Sequence, residues 1–279
     1  MSIREIRTEV ISGAVKELCE RANLVLRPDV LRALEEARDA ETASSSVKML
    51  DVLVENAKAA RKNSIPICQD TGMAVVFVEM GADIHIEGGT IPEAVNKGVA
   101  EAYEAADLRK SVVTDPLKRD NSGNNTPAVI HLEQVPGSSL KISVLPKGFG
   151  SENKSAIRMM NPTSSERDII DFCVDTVKKA GPDACPPFVL GVGIGGTMDS
   201  CAMMAKKALL RPLQEKGPDR AMEEKIKQAA NALGIGVMGL GGKCTVIGVK
   251  VMKGPTHIAG LPVAVNICCH ALRSASTEL

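Results

Sequence analysis

Tryptophan is absent from the sequence, tyrosine occurs once and phenylalanine four times, so aromatic residues make up 2% of 279 residues. The core must be built from Ala, Val, Ile, Leu and Met, and base stacking on aromatic rings is not available. Net charge is also missing, since 34 Lys and Arg balance 34 Asp and Glu. No global field draws the chain to nucleic acid or to an anionic membrane, and neither partner is expected. No stretch reaches the ~18 apolar residues of a membrane span, and the opening MSIREIRTEVISGAVKEL has no uninterrupted apolar segment of the export type. A cytoplasmic location is the expectation. No CxxC pair and no HxxxH spacing occurs, which argues against a structural zinc site.

What is present is a 44% hydrophobic chain long enough to bury a substantial core. It is expected to fold over 1–279 as one domain, or as two lobes divided near residue 150. The patterning predicts a mixed α/β (α+β) fold, with N-terminal helices followed by sheets with packed helices. Apolar residues at Ile6, Val10, Ile11 and Val15, then Leu31 and Leu34, then Val47, Leu50 and Val54, predict two or three helices before residue 62. Residues 74–80 and 84–86 read as strands in a hairpin-like arrangement, and Thr90 with Pro92 opens a helix over 91–108. Residues 114–126 (TDPLKRDNSGNNT) are too polar to fill a core and read as a loop. Strands are predicted at 128–133 and 140–145, and a helix at 167–179. Beyond it, a strand at 188–192, helices at 198–209 and 220–233 and strands at 246–251 and 261–267 complete the pattern.

Residues 66–72 (PICQDTG) place a thiol, an amide, a carboxylate and a hydroxyl directly before an apolar strand. Alone, Asp70 and Thr71 would pass for turn formers and Cys68 for a core filler. Cys185, in 183–188 (DACPPF), sits where two prolines stiffen the entry to a buried strand, and Cys269, in 267–273 (ICCHALR), ends another strand beside Cys268. In a reducing compartment such thiols are fillers, catalysts or metal ligands rather than disulfides. Three separated thiolates can hold a four-iron, four-sulfur cluster and leave one iron without a protein ligand. That iron would act as a Lewis acid on a substrate hydroxyl and carboxylate, whereas four cysteines would suit electron transfer.

Other signals carry weaker readings. Residues 191–196 (GVGIGG) match GxGxxG formally, but the strand with an acidic end expected some twenty residues on is replaced by RPLQEKG. Residues 147–154 (KGFGSENK) could clamp a carboxylate or be a solvated loop. His257 lies in the Gly- and Pro-rich GPTHIAGLP, whereas His85 and His131 alternate within strands and read as structural. Arg109 follows a helix and precedes the polar loop, a natural place for a bidentate grip on a carboxylate.

Together, CQDTG, KGFGSENK, ACPPF with GIGGT, THIAGLP and CCHALR resemble class I, iron–sulfur fumarate hydratases and the related L-tartrate dehydratases over nearly the whole chain. The resemblance implies a cluster-binding domain of class I fumarase type with Cys68, Cys185 and Cys269 as ligands of a 4Fe-4S cluster that has one open iron. Cys269 is preferred because CHALR aligns with the family's cysteine, small residue, Ala, x, Arg pattern; His270 and Leu272 depart from it, and Cys268 is the alternate. It further implies that Gln69, Arg109 and Gly150 bind the substrate and that Asp70 and His257 stand nearest the proton transfer. Single-chain relatives carry a second region, so the resemblance implies an alpha subunit, a separate beta subunit that completes the site, and a hetero-oligomer acting on a small dicarboxylate. Reversible hydration of fumarate to malate is the first expectation and L-tartrate dehydration the alternative. A non-catalytic iron–sulfur sensor or electron carrier, and a nucleotide-dependent enzyme built on 191–196, are the readings from other classes.

Overall fold

In the computed structural model, which describes residues 3–279, the chain opens with β1 (Arg4–Arg7), α1 (Thr8–Leu24), α2 (Pro28–Ala40) and α3 (Ser44–Asn63). It continues through β2 (Met73–Gly81), β3 (Ile84–Glu87), α4 (Ile91–Ala105), β4 (Val129–Val135), β5 (Leu140–Lys147), the short α5 (Phe149–Glu152) and β6 (Ala156–Met160). The last part holds α6 (Glu166–Ala180), β7 (Phe188–Gly196), α7 (Met198–Ala208), α8 (Arg220–Asn231), β8 (Val246–Thr256), β9 (Leu261–Cys268) and β10 (Ala275–Glu278). The fold is mixed α and β, with helices near its N-terminus. Among the described residues no helix is long and apolar enough to cross a membrane.

The residues form two units. The first comprises those up to Arg27, Ala59–Phe149 and Arg273–Leu279, and the second Pro28–Lys58 and Gly150–Leu272.

In the first unit a four-stranded sheet runs β10-β5-β2-β4, with β2 parallel to β4 and antiparallel to β5. Helices α1 and α4 close its core through Ile11, Val15 and Leu18 on one and Val95, Val99 and Tyr103 on the other, against Val76, Val78, Ile142 and Val144. Helix α4 starts where its sequence says it should. Glu93 N–H donates to Thr90 Oγ1 at 3.3 Å, Thr90 N–H donates to Glu93 Oε2 at 2.9 Å, and Pro92 occupies the first turn.

One expectation fails in this unit and another holds with an exception. Strands β2 and β3 make no hairpin, because the amides of Gly81, Ala82 and Asp83 bond to Ser139, Val135 and Gly137 in and beside the β4–β5 turn. Strand β3 pairs instead with β1, in parallel. The polar run 114–126 is a loop, yet Asn125 is fully buried, because its amide replaces the missing backbone ladder. Its Oδ1 accepts from Ser111 N–H at 2.7 Å and Val112 N–H at 3.2 Å, and its Nδ2 donates to the Gly72 carbonyl at 3.1 Å.

In the second unit the sheet runs β6-β9-β7-β8, with β7 parallel to β8 and antiparallel to β9. Phe188, Leu190, Val192 and Ile194 of β7 enter a core with α6 and α8. The alternate positions are Gly191 and Gly193, and α7 lies on them so closely that a methyl at either would strike the carbonyl oxygen of Ala205 or Cys201. The glycines that imitate a dinucleotide fingerprint are therefore spent on helix–sheet packing. A buried ion pair, Lys250 to Glu223 at 3.3 Å, braces β8 against α8, and Lys250 Nζ also donates to the Glu215 carbonyl at 2.7 Å.

Candidate functional site

Residues 64–72 link α3 to β2 in the first unit and carry Cys68, Gln69 and Asp70. The loop enters with Ile67 N–H donating to the Asn23 carbonyl at 3.0 Å. Cys68 is half-buried, with its thiol 3.3 Å from Oε1 of the exposed Gln69. Both carboxylate oxygens of Asp70 are held by backbone: Gly72 N–H donates to Oδ1 at 3.0 Å and Phe149 N–H to Oδ2 at 2.9 Å. Gly72 has a φ of +76°, and a side chain there would overlap the Lys147 backbone, so only glycine turns the loop into β2.

The carbonyls of this loop are held from beneath. The Tyr103 hydroxyl lies 2.8 Å from the Thr71 carbonyl and 2.9 Å from that of Gly72. Burial, reinforced by the Cys19 thiol nearby, pushes its pKa up, so the phenol stays a donor. The Arg273 guanidinium donates to the Asp70 carbonyl at 2.7 Å. Thr71 Oγ1 donates to the Arg109 carbonyl at 3.0 Å, which ties the loop to the start of the polar segment, while the Arg109 side chain remains exposed. Cys68, Gln69, Asp70 and Arg109 are thus gathered in one unit.

The second unit carries Gly150, Cys185, His257 and Cys269. Cys185 adopts a left-handed conformation after a 3-10 turn (Gly181–Ala184) and precedes β7; Cys269 follows β9. Because β7 and β9 are antiparallel, with Val189 opposite Cys268, these two ends meet. His270 fastens them: its backbone N–H lies 3.4 Å and its Nδ1 3.2 Å from the Cys185 carbonyl. His257 is exposed at the opposite end of the same strands, where the neighbouring Thr256 hydroxyl donates to the Gly196 carbonyl at 2.9 Å. With a rise of ~3.3 Å per residue, the length of β7 separates it from Cys185 by roughly 25 Å. Gly150 has open space where a side chain would project. The cations flanking it are engaged, Lys147 being buried at the end of β5 and Lys154 paired with Asp183 at 3.0 Å.

The eight cysteines divide sharply by access. Cys19, Cys173, Cys201, Cys244 and Cys268 are buried, Cys68 and Cys269 are half-buried, and Cys185 is exposed. Burial pushes the thiols of Cys19 and Cys173 up to about 12 and those of Cys201 and Cys244 up to about 11. The three accessible thiols are the three that the motifs single out, and Cys268 is buried where Cys269 is half-buried. In donor chemistry and access they fit a cluster that needs three thiolates. Among the described residues no group of three or more His, Cys, Asp or Glu side chains is assembled to hold a single metal ion.

The fumarate hydratase (Fumerase) family model matches residues 12–278. The chain belongs to this family. Within the Fumerase family it is 40% identical over 274 residues to a chain from Methanocaldococcus jannaschii provisionally named L(+)-tartrate dehydratase subunit alpha, covering 95% of this chain and 96% of that one. It is 28% identical over 273 residues to the L(+)-tartrate dehydratase subunit alpha of Escherichia coli K12, covering 95% and 88%, and equally similar to that of Shigella sonnei. Family membership makes the chain part of a hydro-lyase of this general class.

Sequence reasoning missed the groups that fix the site rather than form it: Asn23, Tyr103, Asn125, His270 and Arg273. Two carried a signal. Tyr103 is the one tyrosine in the chain, and Arg273 closes the CCHALR motif.

Proposed function

We propose that the chain is the alpha subunit of an iron–sulfur hydro-lyase that removes water from a hydroxy dicarboxylate, L(+)-tartrate first, together with a separate beta subunit. What carries this reading is the 40% identity, over nearly the full length of both chains, to a relative provisionally named L(+)-tartrate dehydratase subunit alpha. Reversible hydration of fumarate to malate, the first expectation from sequence, becomes the second reading; the family's own description favours it.

In this proposal Cys68, Cys185 and Cys269 hold a 4Fe-4S cluster, whose open iron supplies Lewis acidity to the substrate's hydroxyl and carboxylate. Asp70, its oxygens oriented by two backbone amides, accepts the proton from the carbon next to the one that loses hydroxide. The C–H electron pair becomes the double bond and the C–O pair leaves with oxygen. Gln69 and Arg109 bind substrate carboxylates, and the open face of Gly150 admits the substrate beside its own N–H. His257 stands too far from Cys185 and Cys269 of its own chain to act at their cluster, and serves instead a centre completed by a second copy.

The test is anaerobic co-production of the chain with its beta subunit, with iron and sulfide content and turnover of L(+)-tartrate and malate measured side by side. A kcat/KM for tartrate at least about tenfold above that for malate is expected, equivalent to ~1.4 kcal/mol of transition-state discrimination. Preference for malate moves the assignment to the second reading, and a protein without cluster removes both.

A further inference from the structure

Arg273 is a buried cation that no part of the functional reading uses. It is 2% exposed, and its guanidinium makes two hydrogen bonds: Nη2 donates to the Asp70 carbonyl at 2.7 Å and Nη1 to Asn23 Oδ1 at 3.3 Å. Its Nε has no hydrogen-bond partner, and no carboxylate among the described residues lies within ion-pairing distance of it. A guanidinium so placed carries a desolvation cost that its two hydrogen bonds only partly offset. A methionine of similar length would fill the space at less cost, so core packing does not explain an arginine here.

Its geometry does. Asn23 is itself fixed, its Nδ2 donating to the Cys19 carbonyl at 3.0 Å within α1 and its own carbonyl receiving Ile67 N–H at 3.0 Å. Arg273 therefore spans from a rigid helix to the peptide of Asp70. Gly148 leaves room for this: a side chain there would reach within 3.0 Å of Asp70 Oδ2 and 3.8 Å of Arg273 Nη2. The guanidinium fixes the Asp70 peptide plane, and with it the direction in which the carboxylate leaves the loop.

We propose that Arg273 is a positioning residue of the active site, holding the Asp70 peptide so that its carboxylate meets both the Gly72 and Phe149 amides and faces the substrate carbon. The proposal rests on the hydro-lyase reading above. A lysine cannot reproduce the planar fork, and a glutamine can keep one of the two bonds.

Arg273→Lys and Arg273→Gln, each assembled with the beta subunit, are compared with wild type. Expected for both are a kcat lower by about 100-fold, a KM within about threefold, and unchanged iron content, EPR spectrum and unfolding midpoint. In the cluster-free chain, the Gly72 and Phe149 amides should exchange about tenfold faster in each variant than in wild type. Guanidinium added to Arg273→Ala should restore part of kcat, which general damage to the fold would not allow. Variants with wild-type kcat beside an active wild type overturn the role of Arg273 alone, as does a fall in kcat that tracks loss of cluster or of unfolding midpoint. A cluster-loaded wild type that turns over neither tartrate nor malate overturns the functional reading and this role with it.

Discussion

Around Asp70, in the first unit, the fixing contacts come from polar groups sealed beneath the loop: Tyr103, Asn125 and Arg273 each bond a loop carbonyl, and Asn23 receives the incoming chain. Around Cys185 and Cys269, in the second unit, the fixing is done by strand ends and by one half-buried histidine. A buried network has one satisfied geometry and is costly to distort, so the Asp70 loop is organised before any ligand arrives. Strand ends tied mainly by backbone pairing and a single side chain gain order from what they bind. The carboxylate proposed to take the proton is thus prebuilt, whereas two of the three proposed cluster thiols, Cys185 and Cys269, sit where strands end.

The largest effect expected from this contrast is on the thiols. Cys68→Ser, Cys185→Ser and Cys269→Ser should each abolish the four-iron EPR signal and the turnover of anaerobically prepared complex, whereas Cys268→Ser should keep both. In cluster-free protein at pH 8, an alkylating reagent should label Cys68, Cys185 and Cys269. It should leave Cys19 and Cys173 untouched, since only ~0.01% of a thiol with a pKa near 12 is ionised there. A cluster kept by Cys269→Ser and lost by Cys268→Ser would move the third ligand by one residue.

The next largest effect concerns His257, stranded at the far end of β7 from Cys185. Asp70→Asn and His257→Asn should each lower kcat by ~10²–10⁴-fold. Co-assembled at equal amounts in a symmetric pair, the two inactive variants should recover up to about a quarter of wild-type activity. Half of the pairs are then mixed, and each mixed pair has one centre with both residues intact. If His257 acted at its own chain's centre, no mixture would recover anything.

The sequence carried most of the fold's regular elements because hydrophobic periodicity and caps are local. The helix opened by Thr90 and Pro92 and the strand at 188–192 needed nothing beyond their own residues. It did not show β1, β6 or β10, which are four or five residues long and owe their strand state to partners distant in the chain: β3, β9 and β5. Nor did it show that β2 and β3 avoid each other, which is decided by amides at Gly81, Ala82 and Asp83 finding the β4–β5 turn. At the site, the cysteines and Asp70 stood out as reactive types in stiff or turning segments. The residues that fix them did not, because an Asn in a polar run or an Arg near the C-terminus looks solvent-facing until the fold buries it.

The second unit does own one lock of the first unit's kind, and it offers the finest test of the comparison. The Glu41 carboxylate accepts four backbone N–H groups: Thr42 at 2.8 Å and Ala43 at 3.1 Å on Oε1, Lys243 at 2.7 Å and Cys244 at 3.2 Å on Oε2. Burial alone would raise its pKa, but the four amides outweigh burial and hold it below the usual carboxylate range. A carboxylate whose pKa is depressed on folding contributes stability that is fully present above its unfolded value, near 4.3, and is lost as pH falls through the folded value. Glu41→Gln, with one acceptor oxygen in place of two, should destabilise the protein by ~1–3 kcal/mol at pH 7 in urea unfolding. The gap to wild type should narrow steadily below about pH 4, where the wild-type carboxyl itself takes up a proton. A gap that stays constant down to pH 3 would mean that Glu41 contributes through its shape rather than its charge, and the lock would then differ in kind from the one beneath Asp70.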